Sequence, residues 1–140
     1  MTDATTYTEE QVIGRMFENV DADASPATTY VALWTTDPAN SPDPANEVSG
    51  DSYSPLAVDN SSGEWQRDST GGPTQVSNSI ELDFGVLDTS SQVNVEGIVV
   101  YDGSDTSTAN ALVKASNISE VVDSGNELRI PVGDATFSLD

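Results

Sequence analysis

From Thr28 onward the chain is cut into short apolar stretches by turn-forming residues, and this punctuation limits its fold more than any other feature. A parallel βαβ unit needs a crossover of about a dozen residues or more, and no gap between these stretches offers a helical one. The cleanest alternation lies in 76–84. Ile80, Leu82 and Phe84 fall on one face there, and Ser79, Glu81 and Asp83 on the other. Further strands are expected at 30–34, 53–58, 64–68, 93–95, 98–101, 111–115, 128–132 and 135–139. Gly133-Asp134 between the last two predicts a tight hairpin. The fold class expected is all-β, a β-sandwich or jelly roll of about eight strands, with one short N-terminal helix.

That helix lies ahead of the strands. Residues 1–7 read as a polar arm, and Thr8-Glu9-Glu10-Gln11 has the pattern of a capping box. Ile13, Met16, Phe17 and Val20 follow at i, i+3, i+4 and i+7, forming one apolar stripe. The helix is expected to end near 19–20. A helix this short is marginal alone, so its stripe needs a surface, either the chain's own β domain or a partner subunit. The chain divides into 1–27, an arm and short helix, and 28–140, the β domain.

Composition closes many chemistries. The chain of 140 residues has 24 Asp and Glu against 4 Lys and Arg, with no His and no Cys, for a net charge of −20. Disulfides, thiolate or imidazole metal sites and His-based catalytic triads are excluded, and no cofactor is implied. Arg15, Arg67, Lys114 and Arg129 are scattered, so no cluster invites nucleic acid. No apolar run approaches the ~20 residues of a spanning helix, and no segment reads as a secretory signal. The acids are spread along the chain and form no like-charged tail. An ordinary acidic surface is one reading, and a mimic of nucleic acid another. The sharper one is a protein working in concentrated salt, because at ~1 M the Debye length is about 3 Å and carboxylates barely repel one another.

Few residues stand out as chemical candidates. Asp102-Gly103-Ser104-Asp105 is the nearest approach to a Ca²⁺ loop, but it lacks EF-hand spacing. Asp21 and Asp23 are close enough to share an ion. Trp34 and Trp65 are large enough to stack on a sugar, although a Trp in an apolar strand is more often core. Trp65, Asp102 and Asp105 are the candidate ligand-facing residues. Ile13, Met16, Phe17 and Val20 are the candidate assembly contacts. Nothing singles out a catalytic pair.

Four stretches carry a resemblance. They are 29–38 (TYVALWTTDP), 46–53 (NEVSGDSY), 76–85 (VSNSIELDFG) and 124–133 (SGNELRIPVG). In this order they resemble a family of small virion proteins of tailed double-stranded DNA viruses, described as minor tail, tail-fibre-like or head-decoration proteins. The chain departs from the pattern at Pro55, where a basic residue is usual, and at Thr108-Ala109, where Gly-Gly is usual. The resemblance implies a non-enzymatic virion component, and the acidity adds a halophilic archaeal host. The expectation is a symmetric homo-oligomer, a trimer or pentamer, decorating the capsid surface. Its partners would be the major capsid protein or neighbouring head or tail proteins. The alternative is a tail-associated protein or a glycan-binding module that attaches to the host cell surface.

Overall fold

The computed structural model describes residues 2–18, 23–50, 52–88, 91–116 and 118–138. Its elements are β1 (Thr2–Ala4), α1 (Thr6–Phe17), β2 (Thr28–Trp34), β3 (Leu56–Asp59), β4 (Trp65–Asp68), β5 (Gln75–Asn78), β6 (Leu82–Leu87), β7 (Val93–Val95), β8 (Gly97–Tyr101), β9 (Ala111–Ala115), β10 (Glu120–Val122), β11 (Asn126–Ile130) and β12 (Thr136–Ser138). One five-stranded sheet has the order β1-β9-β8-β2-β3. A three-stranded sheet, β12-β5-β4, and two ribbons, β11-β6 and β10-β7, complete the fold. Every strand pair is antiparallel, as the punctuated sequence predicts.

The five-stranded sheet is apolar on both faces. Val31, Leu33, Ile98, Val100 and Ala115 point to the main core, where they meet Leu82, Leu87, Val95, Leu128, Ile130 and Phe137 from the other strands. On the opposite face Ala32, Trp34, Val99 and Tyr101 form a second cluster, with the Trp34 and Tyr101 rings stacked at 5.9 Å. The proline-rich segment after Trp34 closes on itself through Thr35 N–H to the Asn46 carbonyl (2.8 Å). Within that segment Pro38 is buried. A Cβ at Gly97 would stand 2.5 Å from the Pro38 ring and 2.7 Å from the Ala115 carbonyl, so only glycine fits there.

Among the described residues twelve strands form where about eight were expected. The expected polar arm is instead β1, pairing Thr2–Ala4 with β9 in the register Thr2↔Ala115. Segment 120–122 is short and pairs as β10. The run 76–84 splits into β5 and β6. Leu82 keeps the buried face, flanked by half-buried Ile80 and Phe84, but the strand changes partners after Asn78.

That change is held by the Asn78 side chain, which is 1% exposed. Its amide donates to the Ile80 carbonyl (2.7 Å) and the Pro131 carbonyl (2.8 Å). Its oxygen accepts from Gly133 N–H (3.1 Å) and Ala135 N–H (3.0 Å). Both donors and both lone pairs of the amide are thus used. The expected terminal hairpin does not form. β11 pairs with β6 and β12 with β5, so the 131–134 turn carries the chain around the same corner that Asn78 makes in β5–β6. Gly133 sits there at φ +85, a conformation that L side chains rarely adopt.

The helix begins earlier than the capping box predicts. Thr5 is the N-cap and accepts from Thr8 N–H. Pairing of β1 with β9 fixes the chain up to Ala4, so the first free turn starts at Thr5. Thr8 instead donates its hydroxyl to the Leu112 carbonyl (2.5 Å). The helix runs to Phe17, with Glu18 N–H closing on the Gly14 carbonyl; the expected end at 19–20 lies outside the described residues, as does Leu139.

Replacing Asn78 with Ala is expected to cost about 2–4 kcal/mol, because buried backbone groups of both corners lose partners. Urea unfolding measures this, and a loss under about 1 kcal/mol would show that the corner does not depend on the amide.

Candidate functional site

Helix α1 is attached through its polar side. Thr8 bonds β9, Tyr7 donates to the Asp23 carboxylate (2.6 Å), and the Gln11 side chain both accepts from Asp23 N–H (2.8 Å) and donates to its carboxylate (3.3 Å). Gly14 is the buried residue of the helix. At 3.6 residues per turn, Ile13, Met16 and Phe17 stand on the side away from Tyr7 and Gln11. They are 51%, 68% and 75% exposed. The usual arrangement of a surface helix, apolar face in and polar face out, is therefore reversed. Three of the expected assembly residues are brought together as one solvent-facing apolar surface, and Val20 lies outside the described residues. Acids frame this surface, with Glu9, Glu10 and Glu18 exposed.

A cleft of about 420 Å³ opens on the other side of the helix, bounded by α1, the 23–26 segment and strands β4, β5, β9 and β12. Val76, Leu112, Val113 and Phe137 supply apolar wall, and Asp102 and Arg67 also line it. The Tyr7–Gln11–Asp23 clasp closes one end. Hydrogen bonding to Asp23, aided by partial burial and its charge, pushes the Tyr7 phenol up to about 12.

The expected ligand-facing residues do not converge. Trp65 is half-buried; its indole N–H donates to Thr29 Oγ1 (3.1 Å), and its ring meets Phe137 edge-on at 6.0 Å. Asp102 accepts from the Asn110 backbone N–H (2.7 Å) and side-chain amide (2.8 Å) and stands at the cleft. Asp105 lies away from the cleft and accepts from the Ser107 hydroxyl (2.6 Å) and N–H (3.0 Å), which hold its carboxyl below the usual carboxylate range. Of the pair Asp21 and Asp23, Asp21 lies outside the described residues. Among the described residues no three acids gather as a metal site, and no helix is long and apolar enough to cross a membrane.

Sequence reasoning missed the clasp and Arg67. Tyr7 fell inside the expected arm, and only a helix starting at Thr6 puts it one turn before Gln11. Also missed was a polar knot at Glu47. Its carboxylate accepts from Tyr53 Oη (2.9 Å) and from Thr106 Oγ1, while Tyr53 Oη accepts from Leu33 N–H (2.9 Å). Burial, with the Glu47 charge beside it, pushes the Tyr53 phenol well up. Glu47 and Tyr53 share one of the four quoted stretches, but nothing in their spacing predicts the contact.

Residues 3–138 match the family model described as podophage GP4 fiber I protein gp80. No curated protein matches the chain.

The Tyr7 phenol is raised, so the clasp favours its protonated form. That contribution is complete below the unfolded value near 10 and is lost as pH rises towards about 12. Phenolate absorbance should show a step near pH 12 that Tyr7→Phe removes. A Tyr7 that ionises near 10 would show that the clasp is open in solution.

Proposed function

The chain belongs to the podophage fiber I protein family, and from that membership we propose that it is a non-enzymatic, virion-associated structural protein of the tail fibre, assembled as a closed homo-oligomer through α1. The match to a fibre protein favours the tail over the capsid surface. The observation that carries the assembly is the reversed helix, whose Ile13, Met16 and Phe17 face solvent. A contiguous apolar surface rimmed by polar groups marks an interaction site. Its i, i+3, i+4 spacing suits helices meeting side by side, as in a bundle.

A second copy of this chain is the occupant that fits best. Identical apolar stripes are complementary to one another about a symmetry axis, and the framing acids then remain at the rim in water. Twelve residues make a helix about 18 Å long, which gives a small contact in a pair. A ring of three or more gives each helix two neighbours. The expected trimer or pentamer satisfies this.

The solvent is the other half of the reading. Lys114, the chain's one lysine, is 5% exposed, so the outer surface carries acids and a few arginines. Such a surface suits concentrated salt and a halophilic, archaeal host.

Deleting residues 1–20 would remove β1 as well as the helix, so substitutions on the exposed face make the better test. In sedimentation velocity the native protein should run as a multiple of 14.7 kDa. The Met16→Asp/Phe17→Asp variant should run as a folded monomer, since both side chains are exposed in the protomer. A native protein that stays monomeric through the micromolar range would overturn the homo-oligomer. Separately, the melting temperature should rise between about 0.1 M and several molar NaCl. A flat or falling curve removes the halophilic half.

A further inference from the structure

We propose that residues 36–45 form a strap that lifts as a unit from the second cluster, wetting Trp34 and Tyr101 and releasing the first turn of α1. Trp34 Nε1 and Tyr101 Oη carry the inference. The two residues are 1% and 2% exposed, and neither atom has a hydrogen-bond partner among the described residues. Burial, with the Glu47 charge acting on it, pushes the Tyr101 phenol well up, so its hydroxyl remains a donor. The Glu47 carboxylate is itself engaged by Tyr53 and Thr106. A buried donor without an acceptor has lost its water and gained no bond in exchange. Two such donors on one stacked ring pair raise the free energy of the closed strap relative to a state that wets them.

The strap has a closed base and a stiff body. Thr35 N–H and Oγ1 both donate to the Asn46 carbonyl (2.8 and 2.9 Å), and beyond them Val48 N–H donates to the Leu33 carbonyl (2.9 Å). Loops of this size whose ends are held together are compact surface units. Pro38, Pro42 and Pro44 fix three backbone angles within it, and the Asp43 carboxylate accepts from Ala45 N–H (3.0 Å). Such a body moves whole about its base.

Few contacts tie that body down. Pro38 is its buried residue and packs on Gly97, which lies opposite Trp34 in the sheet. Thr6 N–H donates to the Asn40 carbonyl (3.0 Å), and Ser41 Oγ donates to Thr6 Oγ1 (3.3 Å). Elsewhere the strap does not sit flush. A hollow of about 270 Å³ is lined by Pro42 and Pro44 on the strap and by Tyr101, Ala109 and Ala111 across from them. Lifting trades the Pro38 and Thr6 contacts for water at both stranded donors. It also frees Thr6, which links the second cluster to the start of α1. The bearing of this link on assembly rests on the role proposed for α1, whereas the opening itself does not.

Hydrogen exchange followed by NMR reads the motion. The Trp34 indole N–H and the Thr6 amide should exchange through one shared opening, with equal protection and the same shallow dependence on urea, well below global unfolding. The Trp65 indole N–H, bonded to Thr29 away from the strap, should stay protected. Tyr101→Phe keeps the ring and removes one stranded donor, so it should slow both protons about fivefold or more and leave Trp65 unchanged. Pro38→Ala removes the buried anchor and should speed both by a similar factor. The Met16→Asp/Phe17→Asp variant should show the same shared opening, which separates a failure here from a failure of assembly. Different openings for Trp34 and Thr6, or exchange of either only through global unfolding, would overturn the strap. So would a Tyr101→Phe variant in which both protons exchange as fast as before or faster.

Discussion

One buried amide joins the two parts of this β fold. Asn78 ends β5 where the chain leaves the three-stranded sheet, and its four hydrogen bonds reach Ile80 on its own corner and Pro131, Gly133 and Ala135 on the facing one. The pairs β5·β12 and β6·β11 thus form one long antiparallel ribbon folded at a shared corner. Strands that turn corners between sheets expose backbone groups which the ladder no longer serves. Asn supplies both signs of partner in one compact group. Two of the four quoted sequence stretches, 76–85 and 124–133, meet at this residue, which gives their co-occurrence a physical content.

With the sheets closed by their own residues, α1 is left free to serve something else. Its attachments are hydrogen bonds, from the Thr8, Tyr7 and Gln11 side chains and from the Thr6 N–H to the Asn40 carbonyl, and its apolar residues contribute nothing to the core cluster. A lone protomer gains little hydrophobic stabilisation from Ile13, Met16 and Phe17. The reversed helix leaves folding to the sheets and its apolar face in solvent, which suits the assembly proposed for it.

The sequence showed its strands and hid its partners. Alternation in 76–84 correctly put Leu82 on the buried face, because period two is enforced by the pleat. Gly133-Asp134 is as good a signal for a corner as for a hairpin, and only a distant residue, Asn78, decides between the two. Thr2–Ala4 has no apolar pattern to mark it as a strand; its pairing with β9 rests on backbone groups that any residue carries. The apolar stripe itself was legible, while the side on which it would lie depended on Asp23 reaching Tyr7 and Gln11. For the same reason the cleft had no signature: its lining comes from separate parts of the chain, brought together by the sheet edges.

The folded ribbon also bears on how the chain acquires its structure. β1 waits for β9, since Thr2 pairs with Ala115, and β6 and the second edge of β5 wait for residues 126–138. Local turns close few of the essential contacts. Contact order this high slows folding, because loop-closure entropy must be met before the pairing that offsets it. During synthesis the N-terminal half emerges with unpaired strand edges and no complete core to enclose them. Dense negative charge then has a role before any particle exists: nascent chains that repel one another stay apart until their later strands arrive.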